Sequence, residues 1–378
     1  MYLLGWLFIV LVNSWGEGFS FHCRRALKFS IIPQRLQVDD NVGGTSNAVD
    51  EMRRDLLVSS VLPGVLPWPT RAETLESVIT IPLQSTGQEL LIYYRVDGSL
   101  FRAVLDTGSP FLMIPGSCGE NTKSKSGCYR NQGVPSGLEN SYEQFDGFGG
   151  DVEWRSAPFS FVNATGSLMG PPLVTFGVAS ESIMTGPGGV FFGMIRDTDD
   201  WIRPSFLGQT PVQSFQINLS TPPKSLTLST KPLIIHDDYI RLTSDLRRRY
   251  GDPVNHYTAL AQSIRVNGVP LAATDGKPIY VIFDTGVTGM VVSRDLFNER
   301  YAVARERRER NLWGDVTLSF RTAKKHMVQL SATKPLTTPF DPQVTWKKFR
   351  GHLIVLGLSF LEGNTLTIDI DKEKLWIE

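Results

Sequence analysis

Two hexapeptides carry the residue types that could do chemistry. Val104-Leu105-Asp106-Thr107-Gly108-Ser109 and Ile282-Phe283-Asp284-Thr285-Gly286-Val287 each run an apolar strand into Asp-Thr-Gly, and the two aspartates are 178 residues apart. One carboxylate on a tight turn is common. Two in near-identical wording suggest two related halves, each presenting one aspartate to a shared cleft. A pair of carboxyls sharing one proton can deprotonate a water and also supply a proton to a leaving group. Like charges that close together cannot both ionise cheaply, so one stays an acid while the other serves as base. Gly108 and Gly286 let the backbone turn tightly beside the carboxyls. Thr107 and Thr285 bring a hydroxyl on a β-branched stem, suited to a buried hydrogen-bond pair. Ser109 can donate to Asp106 and favour its ionised form.

The elements around these turns repeat as well. Val78–Pro82 and Leu90–Val96 read as strands, and a turn at Asp97-Gly98-Ser99 leads into Leu100–Leu105, the strand that delivers Asp106. His256–Ile264, the Arg265–Val269 turn region and Ile279–Phe283 repeat the hairpin-then-strand layout before Asp284. Ser214–Leu219 and Ser225–Leu228 read as strands joining the halves, with Phe215 and Ile217 facing one way and Gln216 and Asn218 the other. Short strands, abundant glycine and proline and scarce heptads predict an all-β architecture.

Two further motifs complete the pattern. Phe191-Phe192-Gly193 and Val355-Leu356-Gly357 place two apolar residues and a glycine 87 and 73 residues after the respective aspartates. With the C-terminal run Ile354–Leu361 and the segments Leu366–Asp371 and Leu375–Ile377, the chain over residues 76–378 resembles the pepsin-like (A1-type) aspartic proteases. The resemblance implies a bilobal fold of two β-barrel-like lobes around a cleft. It divides the chain into a signal peptide (1–18), a leader or prosegment (19–75), an N-terminal lobe with a flap (76–212) and a C-terminal lobe including interlobe strands (213–378). It implies an aspartic endopeptidase working through Asp106 and Asp284, supported by Thr107, Gly108, Ser109, Thr285, Gly286 and Thr288. Met113 and Phe192 are expected in the substrate cleft. No cofactor, metal or nucleic acid is implied; the partner is a polypeptide substrate, and the chain is expected to be a monomer. Cys118 and Cys128 bracket a short polar loop where many relatives carry a disulfide, so the same pairing is expected here.

Two departures from that family alter the expected chemistry. The flap tip usually carries a tyrosine before a glycine. Here the candidates are Phe148 with Gly149, then Phe145, with Tyr142 if the alignment slips. The family's tryptophan partner falls at Met113. A flap held by apolar packing alone, a looser lid and modest turnover are the expectation. In the second turn Val287 stands where many relatives have a hydroxyl. Asp284 is therefore expected to hold the shared proton and Asp106 the charge, with an activity optimum above strongly acidic pH.

Size and composition fit these readings. The 378 residues can form two substantial cores, and a formal net charge of zero gives no global field for nucleic acid or anionic membrane. The five histidines show no metal-ligand spacing. Residues Met1–Val12 form an apolar run of signal-peptide length without preceding Lys or Arg; an uncleaved anchor and a buried strand are the alternatives. The secretory pathway, leading to the exterior or to a vacuole- or lysosome-like compartment, is the expected route. The sequons at Asn163 and Asn218 agree with that route without adding much to it. The leader has seven Lys/Arg and six Asp/Glu, so self-inhibition by a basic prosegment stays open. The competing function is a peptide- or protein-binding member of the same fold with little or no catalysis. A glycosidase with paired carboxyls explains neither of the glycine-bearing apolar strands.

Overall fold

The computed structural model describes residues 77–116, 126–131, 133–145, 148–167, 173–179, 190–197, 204–271 and 276–378. The expected signal peptide and leader and Cys118 lie outside the described residues, and with Cys118 so does the expected disulfide. The chain is mostly β-sheet with few helices. The longest helix described, Arg294–Glu306, spans 13 residues. The all-β expectation therefore holds.

Local chemistry explains the strands that matter. Val78–Pro82 alternates, with Ile79 and Ile81 buried and Val78 and Pro82 outside. Leu90–Val96 and Ser99–Asp106 are joined by Asp97-Gly98, at φ 51° and 76°. Thr258–Val266 and Val269–Leu271 are joined by Asn267-Gly268, at φ 51° and 77°. Both are two-residue hairpin links in the left-handed region, which Asn, Asp and Gly tolerate. Ile279–Phe283 is buried along its whole length because it has a strand on each side, Thr258–Val266 antiparallel and His352–Leu356 parallel. A continuous apolar run is what such a position requires.

Four sheets result. One of seven strands draws on distant parts of the chain, in the order Thr165–Gly166, Val78–Pro82, Ser225–Ser229, Ser214–Asn218, Thr365–Asp369, Lys374–Ile377 and Ile240–Arg241. Within it Phe215 and Ile217 are fully buried and Gln216 and Asn218 are not, as their alternation predicted. Two five-stranded sheets come from residues 84–193, and an eight-stranded sheet comes from residues 258–356. Asp106 ends its strand and Asp284 directly follows one, each in a sheet of its own half. The charged run Arg305–Arg310 is helical only at its start. The helix stops at Glu306, and Glu309 beyond it pairs with the buried Arg300.

Candidate active site

Each aspartate is fixed by a strand running parallel beside it. Phe191–Gly193 pairs with Ser99–Asp106 so that Gly193 stands opposite Asp106. His352–Leu356 pairs with Ile279–Phe283, and the Asp284 N–H donates to the Leu356 carbonyl at 3.0 Å. Gly193, which ends the first of these strands, and Gly357, which follows the second, are needed for close approach. A Cβ on Gly193 would collide with the backbone of Phe111, and one on Gly357 with the carbonyls of Val287 and Gly289. Instead the Gly193 N–H donates to Phe111 O at 2.7 Å and the Gly357 N–H to Gly289 O at 2.9 Å. Phe111 and Gly289 each lie five residues beyond their aspartate, so the same cross-brace occurs twice.

The two turns meet through their threonines. The Thr107 hydroxyl donates to Phe283 O at 2.8 Å, and the Thr285 hydroxyl donates to Leu105 O at 2.6 Å. Each hydroxyl also accepts the other threonine's N–H, at 3.0 and 3.1 Å. All four bonds are buried, so each turn positions the other. This arrangement carries the carboxyls together. A Cβ on Gly108 would run into the Asp284 carboxyl, and one on Gly286 would lie 2.6 Å from Asp106 Oδ1. The Gly108 N–H donates to Asp106 Oδ1 and the Gly286 N–H to Asp284 Oδ1, both at 2.8 Å.

The carboxyls are buried and hydrogen-bond to each other, but their surroundings differ. Burial pushes Asp284 well above the ordinary carboxylate range, and the charge and hydrogen bond of Asp106 push it further. Burial raises Asp106 too. That rise is opposed by Ser109, by the hydrogen bond with Asp284, by the Gly108 N–H and by the charge of His256. Asp284 thus holds the shared proton and Asp106 the negative charge. The Ser109 hydroxyl is buried and favours ionised Asp106 from outside ideal hydrogen-bond geometry.

Other expected site residues sit elsewhere. Thr288 does not join the carboxyls, because its hydroxyl donates to Gln88 O at 2.8 Å. Phe192 is not a cleft residue. It is fully buried in an aromatic core with Tyr94, Phe159 and Phe206. Met113 is buried as well, in a cluster with Phe111, Val152, Trp154 and Ala179. Apolar type alone does not separate a pocket wall from a core. The hairpin Ser141–Phe145/Phe148–Ala157 has Phe145 opposite Phe148. The side chains of Phe145, Phe148 and Gly149 lie outside the described residues. Tyr142, opposite Asp151, is 60% exposed. Apolar packing alone does not hold this hairpin: the Trp154 indole N–H donates to Ser141 Oγ at 3.0 Å.

Two residues near Asp106 escaped the reading of the sequence. The Tyr257 hydroxyl donates to Met194 O at 2.6 Å, and the Met194 N–H donates to Asp106 O at 2.7 Å. His256, beside it, pairs with Asp252 at 3.5 Å and lends positive potential to Asp106. The i,i+4 pair Asp252/His256 was visible in the chain, but no spacing connected it to residue 106. A scan against protein-family models finds no match, and a search of curated proteins finds none.

Proposed function

We propose that this chain is an aspartic endopeptidase with a bilobal, pepsin-like fold, and that Asp106 and Asp284 hydrolyse peptide bonds in an extended polypeptide. The observation that carries this reading is the buried, mutually hydrogen-bonded carboxyl pair held by crossed threonine bonds. The separate sheets of residues 84–193 and 258–356, with a seven-stranded sheet drawing on both parts of the chain, support the bilobal reading. Ionised Asp106 takes a proton from a water lying between the carboxyls, and the water oxygen attacks the scissile carbonyl carbon. The Asp284 proton passes to the carbonyl oxygen as the tetrahedral intermediate forms. Collapse of that intermediate breaks the C–N bond: the proton now on Asp106 goes to the leaving nitrogen, and one hydroxyl of the intermediate returns a proton to Asp284, which restores the starting pair. The hairpin at 141–157 serves as the flap, and substrate binds as an added strand. The route is secretory, and the active species is a monomer.

Digestion of casein by the purified protein, with Asp106→Asn as control, tests the reading. Cleavage that a pepstatin-like inhibitor blocks and the variant lacks is the expected result. Equal cleavage by native protein and variant refutes it. Binding of the inhibitor without any cleavage assigns the chain to the non-catalytic, peptide-binding alternative. Val287, which leaves Asp284 without a hydroxyl donor, is the feature that favours that alternative.

A further inference from the structure

One row of residues crosses the sheet that carries the hairpin. Met113, Gly177 and Trp154 stand opposite one another on three neighbouring strands, Met113–Pro115, Val174–Ala179 and Phe148–Ala157. The central glycine leaves a bare site, and its neighbours close over it. A Cβ there would come within 2.6 Å of Val152 Cγ1, 3.1 Å of Met113 Cγ and 3.4 Å of Trp154 Cη2. An aromatic ring laid over a strand glycine is a recognised means of pinning register. Trp154 is only 2% exposed.

The row sits at the root of the hairpin. Val152 is paired on both sides, with Ser141 and with Ala179. Among the described residues, the part of its strand before Val152 pairs only with 141–145. The indole N–H of Trp154 spans this root to Ser141 Oγ. On its other side Trp154 clusters with Phe111 and Met113, which follow the first Asp-Thr-Gly turn. Phe111 O accepts the N–H of Gly193, the residue opposite Asp106. A continuous set of contacts therefore runs from the hairpin root to the strand pair that carries the first carboxyl.

We propose that Trp154 is a positioning residue that locks the hairpin root to the segment leaving the Asp106 turn, and so sets the hairpin's position over the paired carboxyls. This rests on reading the hairpin as the flap. The indole N–H supplies direction and the Gly177 gap supplies the seat. Trp154→Phe keeps most of the packing and removes the donor, whereas Ser141→Ala removes only the acceptor.

Amide hydrogen exchange on the full-length native protein, both single variants and the double variant tests the anchor. Each single variant is expected to speed exchange about fivefold at the amides of 141–145 and 148–151, leaving the eight-stranded sheet unchanged. The double variant should add nothing beyond the singles, since they break the same bond. With an extended peptide substrate, KM should rise about fivefold with kcat changed less. Native-like exchange at those amides in both singles overturns the proposal, as does an equal increase throughout the protein. If the native protein cleaves nothing, the exchange data still decide the anchor, and only the protease reading falls.

Discussion

The turn at Asp106 and the turn at Asp284 share a buried strand, a parallel neighbour ending in glycine, a glycine N–H on Oδ1 and a crossed threonine bond. Even the strand register repeats: Leu91 faces Val104 and Thr258 faces Ile282, each two residues before its aspartate. What differs is the ring of groups around each carboxyl. Asp106 has Ser109 and His256 in its favour, whereas Asp284 has burial and the charge of its partner against it. Backbone symmetry brings the acids together, and side-chain asymmetry decides which one keeps the proton. Equal environments would leave the proton shared without preference. Unequal ones assign an acid and a base before substrate arrives.

The most severe way to break this comparison is to remove one acid at a time. Asp106→Asn and Asp284→Asn should each lower peptidase kcat by at least about 10²–10⁴-fold. Their stabilities should then diverge. A carboxyl raised by folding favours the native state below about pH 4 and loses that contribution as pH rises through its folded value. Asp284→Asn should therefore gain about 1–2 kcal/mol at neutral pH and almost nothing at pH 4. Asp106→Asn should gain less. Urea melts across that range check both points, and identical curves would remove the proposed asymmetry.

The glycines come next in expected effect. Gly193→Ala and Gly357→Ala push a methyl into backbone in the two equivalent braces, so each should cost about 3 kcal/mol or more. A large gap between the two costs in denaturant melts would show that only one brace is essential. Thr107→Val and Thr285→Val each strand a buried carbonyl and the other threonine's N–H, both of which the lost hydroxyl served. About 1–3 kcal/mol is expected for each. A double-mutant cycle should show strong coupling, because the bonds form one network. Additive losses would mean that each turn stands alone.

The smallest change sharpens the comparison rather than breaking it. Val287→Thr offers Asp284 a donor like the one Ser109 offers Asp106. The alkaline limb of the pH–rate profile, where the Asp284 proton is lost, should move down by less than about one unit, with kcat nearly constant. Superimposable native and variant profiles would leave the proton's placement to burial, Ser109 and His256.

The chain itself declared the all-β class, the strands leading to both aspartates, the two hairpin links and the glycine-ended strands beside them. These are local signals: alternation, continuous apolar runs, Asp-Gly and Asn-Gly turns, and a repeated triplet. It also declared the direction of the proton bias, since Ser109 and Val287 are near neighbours of their own aspartates. Tertiary contacts settled what local signals cannot. Thr288 turned to Gln88, Phe192 and Met113 joined cores, Trp154 crossed to Ser141, and His256 reached the field of Asp106. In each case the partner lies far along the chain or across a sheet. Side-chain type fixes what a residue can bond, but the packing of distant strands fixes which partner is within reach.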